Sequence, residues 1–290
     1  MFTNLFGRYL EENGIITDEE FFSIKMERNK TKVKLGLIAV SEKLMTEKQA
    51  DQVNRKPQRL DKRFGDIAVD MGFLTDTQVE RLLALQGNPY MQFCQCVTDK
   101  GIMSLGQIEE ALEGFQKANG FTSADIESIK SGDIDRIIPL YLPSLPEGPL
   151  IDLLLVIFRS IVRLVSTDLN LKKGYLTSDY QMDIHAIQAM KGDYNAATAF
   201  SGDDKGILAL AEGFAKEFFN EVSIDALDSA GEFINIANGL FATAKSYEGM
   251  EINLEPPTYS KDPVEISGSS LYIVPIEINQ QELSLIIKLS

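Results

Sequence analysis

Hydrophobic positions in the first 115 residues recur in blocks. FGRYLEENGIITDEE (6–20), LGLIAVSEKLMTEKQ (35–49), FGDIAVDMGFLTDTQ (64–78) and FCQCVTDKGIMSLGQ (93–107) align at a spacing of 29 residues, and four copies in register mark an internal repeat. Each block opens with Phe or Leu, usually followed by Gly, and runs through a short amphipathic helix. It reaches Gly14, Gly72 or Gly101, where a residue tolerant of positive φ ends the helix; the second copy has Lys43 there. A hydrophobic pair follows, and then the capping-box pattern Thr17/Glu20, Thr46/Gln49, Thr75/Gln78 or Ser104/Gln107. Each unit therefore predicts helix, turn and capped helix, stacked on its neighbour to share a core.

Beyond a helical turn and a Pro-containing connector (117–146) the pattern changes. An amphipathic helix is expected at about 148–166. Runs of strand character follow at 174–180, 181–192, 194–202 and 206–212, then a helix at 214–222 and a longer one through ALDSAGEFINIANGL (226–240). MEINLEPPTYS, SLYIVPIEIN and ELSLIIKLS close the chain, the last two alternating as half-buried antiparallel strands do. The expected organisation is multi-domain: an all-α helical-repeat domain over 1–116, the connector over 117–146, and an α+β domain with an antiparallel sheet and two long helices over 147–290.

In the longer helix, Asp228, Glu232 and Asn235 fall within an arc of about 60°, while Leu227, Ala230, Phe233, Ile234, Ala237 and Leu240 lie opposite. One face is expected to enter the core, and the other to show two acids and an amide to solvent.

The formal charge of -15 and pI near 4.6 argue against nonspecific binding of nucleic acid or an anionic membrane. Residues 1–146 hold 18 Lys and Arg against 22 Asp and Glu, net -4, which leaves 10 against 21, net -11, for the rest. The two parts thus differ electrostatically. Cys94 and Cys96 stand too close together for a framework disulfide and have no companions for a zinc site, so both are expected as buried thiols. The apolar run 149–165 is interrupted by Asp152, Arg159 and Arg163 and is short for a bilayer span. With no signal peptide visible, a cytoplasmic protein is expected.

The repeats resemble the N-terminal domain of GspE-type secretion ATPases (MshEN), most closely in RFGDIAVDMGFLTDTQVERLLALQ (63–86). In members that bind cyclic di-GMP, two adjacent motifs separated by five residues each grip half of the nucleotide. The resemblance implies a site at Lys34, Gly36, Arg63, Gly65 and Gln86, with QRLDK (58–62) as the spacer. The second copy departs from the pattern in carrying Lys34 for Arg, Lys43 for Gly and Pro57 for Gln. The basic runs RNKTKVK (28–34) and RKPQRLDKR (55–63) occupy equivalent places in consecutive repeats and suit an anion, or form solvated linkers on a protein-binding scaffold.

The second half resembles the CheC/CheX chemotaxis phosphatases. Their signature, D/S-x3-E-x2-N followed some twenty residues later by Pro, is matched by Asp228, Glu232 and Asn235, with Pro257 one residue short of the usual spacing. The first long helix, IDLLLVIFRSIVRLV, lacks the signature, so a single site is implied, as in CheX. The resemblance implies hydrolysis of the aspartyl phosphate of a CheY-like response regulator that brings its own Mg²⁺, with no cofactor on this chain. Asn235 would orient the water, Glu232 would pair with the regulator's lysine, and Asp228 would assist. It also implies a homodimer through sheet edges, SLYIVPIEIN being the flat apolar strand in need of cover. The alternative is a non-catalytic adaptor that binds a regulator, and cyclic di-GMP through its repeats. His185 in IHAIQ reads as a structural histidine, and Asp203 and Asp204 in GDDKG as part of a turn rather than a phosphate or metal site.

Overall fold

Each 29-residue block folds as two helices around a tight turn. A computed structural model describes residues 1–56, 62–145 and 148–289, with backbone alone at Asn29 and Ser269. Its chain divides into two compact units, Phe2–Gly132 and Asp133–Ser290, and this boundary splits the stretch read as a connector.

The first unit holds helices α1 (Phe2–Glu12), α2 (Asp18–Glu27), α3 (Leu35–Ser41), α4 (Glu47–Arg55), α5 (Phe64–Asp70), α6 (Asp76–Ala84), α7 (Pro89–Asp99), α8 (Leu105–Asn119) and α9 (Ser123–Ser131). All four capping boxes form, and Thr122 with Asp125 makes a fifth at α9. Gly14, Gly72 and Gly101 turn the chain at φ of 64°, 70° and 69°, and Lys43 takes the same left-handed conformation at 57° despite its β-carbon.

The glycine that opens each of the first three blocks has a packing role. A β-carbon at Gly7 would meet the Phe21 ring at 2.4 Å, one at Gly36 would meet Ala50 Cβ at 3.7 Å, and one at Gly65 would meet Val79 at 2.8 Å. At Gly7 and Gly65 the tight contact is with the residue fourteen positions on, so the missing side chain lets the two helices of one block touch; at Gly36 the Ala50 distance is ordinary and the close neighbour is the Phe64 ring of the next block, at 3.1 Å.

The blocks do not stack in chain order. Helices α3, α4, α5 and α6 pack together, whereas α1 packs on α7 and α8. Phe2 and Phe6 meet Phe93 edge-on at 5.5 Å, and Phe6 also meets Phe115. The first block thus closes on the fourth and the second pairs with the third, because the large aromatics of α1 and α7 find one another.

The second unit begins with α10 (Ile134–Ile137) and a 3₁₀ turn. α11 (Leu150–Ser160) follows and runs into π-helical Ile161–Val165. Strands β1 (Leu169–Leu171), β2 (Tyr175–Met182), β3 (Ile184–Gly192) and β4 (Ala196–Gly202) precede α12 (Asp204–Ala215) and α13 (Ile224–Ser246). The unit ends with β5 (Ile252–Leu254), β6 (Thr258–Ser260), β7 (Val264–Ile278) and β8 (Gln281–Leu289). Together they form one antiparallel sheet of order β1-β7-β8-β4-β3-β5, with β2 also on β7 and β6 also on β3. The chain is therefore multi-domain, an all-α repeat unit followed by an α+β unit.

α11 packs on α13, and α12 and α13 lie on the sheet, where Phe200 and Phe214 meet Phe233 edge-on. The other face of the sheet carries a second buried cluster of Met182, Ala199, Leu271, Ile273 and Ile286. Two expectations need correction. The run 206–212 is helical within α12, because the Asp203 side chain caps it by accepting from Gly206 N–H, and Lys216 ends it at φ 59°, so no separate helix forms over 214–222: 214–215 close α12 and 216–222 is not helical. β7, which contains SLYIVPIEIN, is no edge: β1 and β2 pair with one side of it and β8 with the other, so this chain already covers it.

Candidate functional site

α13 starts at Ser223, whose hydroxyl accepts from Ala226 N–H at 3.2 Å, and runs for 23 residues. Leu227, Ala230, Phe233, Ile234 and Ala237 are buried as the periodicity requires. Leu240 is not: it is 52% exposed. With Ile224, Asp228, Glu232 and Ile236 it completes an exposed stripe at four-residue spacing, two acids flanked by aliphatic side chains.

Asp228 and Glu232 are exposed and make no hydrogen bond or ion pair with any described residue. Asn235 differs. It is half-buried, and its Oδ1 accepts from Gln188 Nε2 at 2.7 Å. Gln188, on β3, is 1% exposed; the same Nε2 donates to the Glu255 carbonyl at 2.9 Å, and its Oε1 accepts from Asn238 Nδ2 at 2.9 Å. Asn238 Oδ1 in turn accepts from the Thr198 hydroxyl at 2.9 Å. A hydrogen-bonded amide chain thus runs from the sheet to the helix surface and ends at Asn235, so the expectation that this side chain stands clear of the core is corrected.

The segment after α13 returns across it. A β-carbon at Gly231 would lie 3.3 Å from Pro257 Cβ, so the proline sits on the helix between Leu227 and Asn235. Glu255, two residues earlier, supplies the carbonyl that holds Gln188, while its carboxylate pairs with Lys191. No pattern local to the sequence points to Gln188 or Asn238; both sit in runs read only as strand or helix core.

On α11, the counterpart of α13, Asp152 pairs with Lys245, a lysine only 5% exposed that also binds Glu248. His185 is buried with Nδ1 2.7 Å from the Asp183 carbonyl, as a structural histidine. Cys94 and Cys96 are buried free thiols, and burial pushes Cys94 up to about 12, which leaves it protonated and inert. Among the described residues no cluster of His, Cys, Asp or Glu could hold a metal ion, and no helix is long and apolar enough to cross a membrane.

In the first unit, Lys34, Gly36, Arg63, Gly65 and Gln86 all line one cleft of about 880 Å³. The Arg63 guanidinium has no partner among the described residues. Lys34 is engaged by Asp99 at 2.9 Å, and Gln86 Nε2 donates to the Val33 carbonyl at 3.0 Å. Lys32 joins the basic lining, while Glu47, Asp51 and Asp66 oppose it. Pro57 and most of the spacer QRLDK lie outside the described residues.

Residues 184–277 match the family model for the chemotaxis phosphatase CheX. Solved structures similar to this chain include the following three. The chemotaxis protein CheX of Desulfovibrio desulfuricans is 18% identical, with a TM-score of 0.41 over 48% of this chain and 96% of that one. A CheC-like superfamily protein of Shewanella sp. PV-4 is 17% identical, with a TM-score of 0.43 over 49% and 97%. The CheX–CheY–BeF3–Mg²⁺ complex of Borrelia burgdorferi gives 16%, 0.39, 49% and 97%. No curated protein matches the chain.

Proposed function

We propose, from the match of residues 184–277 to the CheX family model, that the second unit hydrolyses the aspartyl phosphate of a CheY-like response regulator, using the exposed row on α13. The observation that carries this reading is the contrast within the row: two unpaired acids in solvent beside an amide held from behind by buried partners. Side chains with no structural engagement are free to meet a partner, and an amide with a fixed mount suits the orienting of a small molecule.

An acyl phosphate is already reactive, and the regulator brings Mg²⁺ and a lysine of its own. What this chain adds is placement. Asn235 holds a water in line with the phosphorus; the water attacks, the aspartyl carboxylate leaves with the bonding pair, and inorganic phosphate is released. Glu232 pairs with the regulator's lysine and sets the docking register, and Asp228 extends the negative face. Ile224, Ile236 and Leu240 give the partner apolar contact on either side of the acids. Decay of the phosphorylated regulator with and without this chain tests the reading: acceleration supports it, and an unchanged rate overturns it in favour of an adaptor.

The first unit supports a second reading, as a nucleotide-responsive module. Five residues of the repeat motif converge on one cleft large enough for a dinucleotide, and the guanidinium at its wall pairs with none of the described residues. Cyclic di-GMP is the ligand that the repeats' resemblance suggests.

A further inference from the structure

The amide chain behind Asn235 has a direction, and its chemistry fixes that direction. Glu255 contributes a backbone carbonyl, which only accepts, so the Gln188 atom 2.9 Å away must be the NH₂. That same NH₂ lies 2.7 Å from the Asn235 side chain, and its second hydrogen is spent there. Asn235 must therefore turn Oδ1 inward and Nδ2 outward; the opposite rotamer would set two NH₂ groups against each other. At the far end Gln188 Oε1 takes its hydrogen from Asn238, and Asn238 Oδ1 takes one from Thr198. Thr198, Gln188 and Asn238 are all at most 1% exposed, so water cannot rescue a flipped member.

Resting on the phosphatase reading above, we infer that Gln188 is a positioning residue that sets the polarity of Asn235, so that the group offered to the phosphorylated regulator is an N–H donor. The consequence is specific. A water that accepts from Nδ2 keeps its other lone pair for phosphorus and both of its hydrogens for acceptors, such as the phosphoryl oxygens or the Glu232 carboxylate. Held by an amide oxygen, it would instead give up a hydrogen and be free to swing about that bond. Gln188 touches neither water nor phosphate; it acts only through Asn235.

Two measurements on the full chain test this. Side-chain amide NMR, with the Asn235 pair identified by its disappearance in Asn235→Ala, should show both Asn235 Nδ2 hydrogens exchanging freely with water and the Gln188 pair protected. Protection of the Asn235 pair would overturn the inference. In phospho-regulator decay, Gln188→Leu should lower kcat about tenfold or more while the half-saturating regulator concentration stays within about twofold, since misplacing the amide spoils geometry and leaves docking by Glu232 intact. Parallel loss of both parameters and of thermal stability would mean a merely structural role and would also overturn it. A wild-type chain inactive on every CheY-like regulator offered would sink the phosphatase reading, while the exchange pattern would still decide the polarity.

Discussion

Gly231 and Pro257 touch across 26 positions of chain, close enough that a β-carbon on the helix would stand 3.3 Å from the proline's Cβ and 3.5 Å from its Cγ. The proline matters because the carbonyl of Glu255, two residues before it, anchors Gln188. Gly231→Ala gains helix propensity but asks the proline to shift by a few tenths of an ångström, so calorimetric stability should stay within about 0.5 kcal/mol of wild type. Gly231→Val should lose roughly 1–3 kcal/mol through overpacking and should free the Gln188 amide to exchange with solvent. A neutral Gly231→Val would show that the loop does not bear on the helix.

Lys43 stands at φ 57° where the first, third and fourth repeats have glycine, and its exposed side chain has no partner among the described residues. Replacing it removes strain and loses no contact. Lys43→Gly should raise stability by about 1 kcal/mol, and Gly72→Lys should lower it by a similar amount. Thermal melts of the two variants check both signs.

The local part of the fold was legible in the sequence. A capping box links residues three apart, so Thr17/Glu20 and its three counterparts could be placed from the text alone, as could the turn at Gly14 and the misfit at Lys43. Closure of the first block on the fourth could not, because a repeat period says nothing about which copies touch. The run 206–212 misled because a short apolar stretch suits strand and helix alike; the Asp203 cap was the signal to weigh. Likewise the alternation in SLYIVPIEIN told which face is apolar but not which strands flank it. At the site, the polar row on α13 followed from helical periodicity, whereas the Gln188–Asn235 bond spans 47 positions and joins a strand to a helix, beyond any local pattern.

Lys245 is a buried cation of the second unit. Its hydrogen bond to Asp152, and then those to Glu248, raise its pKa above the ordinary 10.5. A raised lysine contributes stability that is fully present below 10.5 and is lost as pH climbs through the higher folded value. Both carboxylates are about half exposed, so solvent screens the pairs, and Lys245→Met should lose only about 1 kcal/mol at neutral pH. The gap in melting temperature between variant and wild type should narrow above pH 10.5; a gap that widened there would reverse the sign.

For the cleft of the first unit, calorimetry with cyclic di-GMP should give saturable binding tighter than about 100 µM, or roughly -5.5 kcal/mol. Arg63→Ala should weaken it at least tenfold, because the guanidinium lines the cleft and pairs with none of the described residues. Lys34→Ala should weaken it less, since Asp99 already engages that ammonium. Absence of heat at 100 µM would leave the repeats as a scaffold for a protein partner.

The phosphatase assignment rests on Asn235, and one rate constant tests it most directly: the first-order decay of a phosphorylated CheY-like regulator, measured with wild type, Asn235→Ala and Glu232→Ala under identical conditions. Wild type should accelerate decay, and Asn235→Ala should remove about 10²-fold of that acceleration, roughly 2.7 kcal/mol of barrier. Because Gln188 then keeps an unpaired hydrogen, Asn235→Ala should also cost about 1 kcal/mol of stability, too little to unfold the domain. Glu232→Ala should raise the regulator concentration needed as well as slow turnover, and its melt should match wild type. Wild-type rates from both variants would contradict the assignment and leave the row on α13 as ordinary solvated surface.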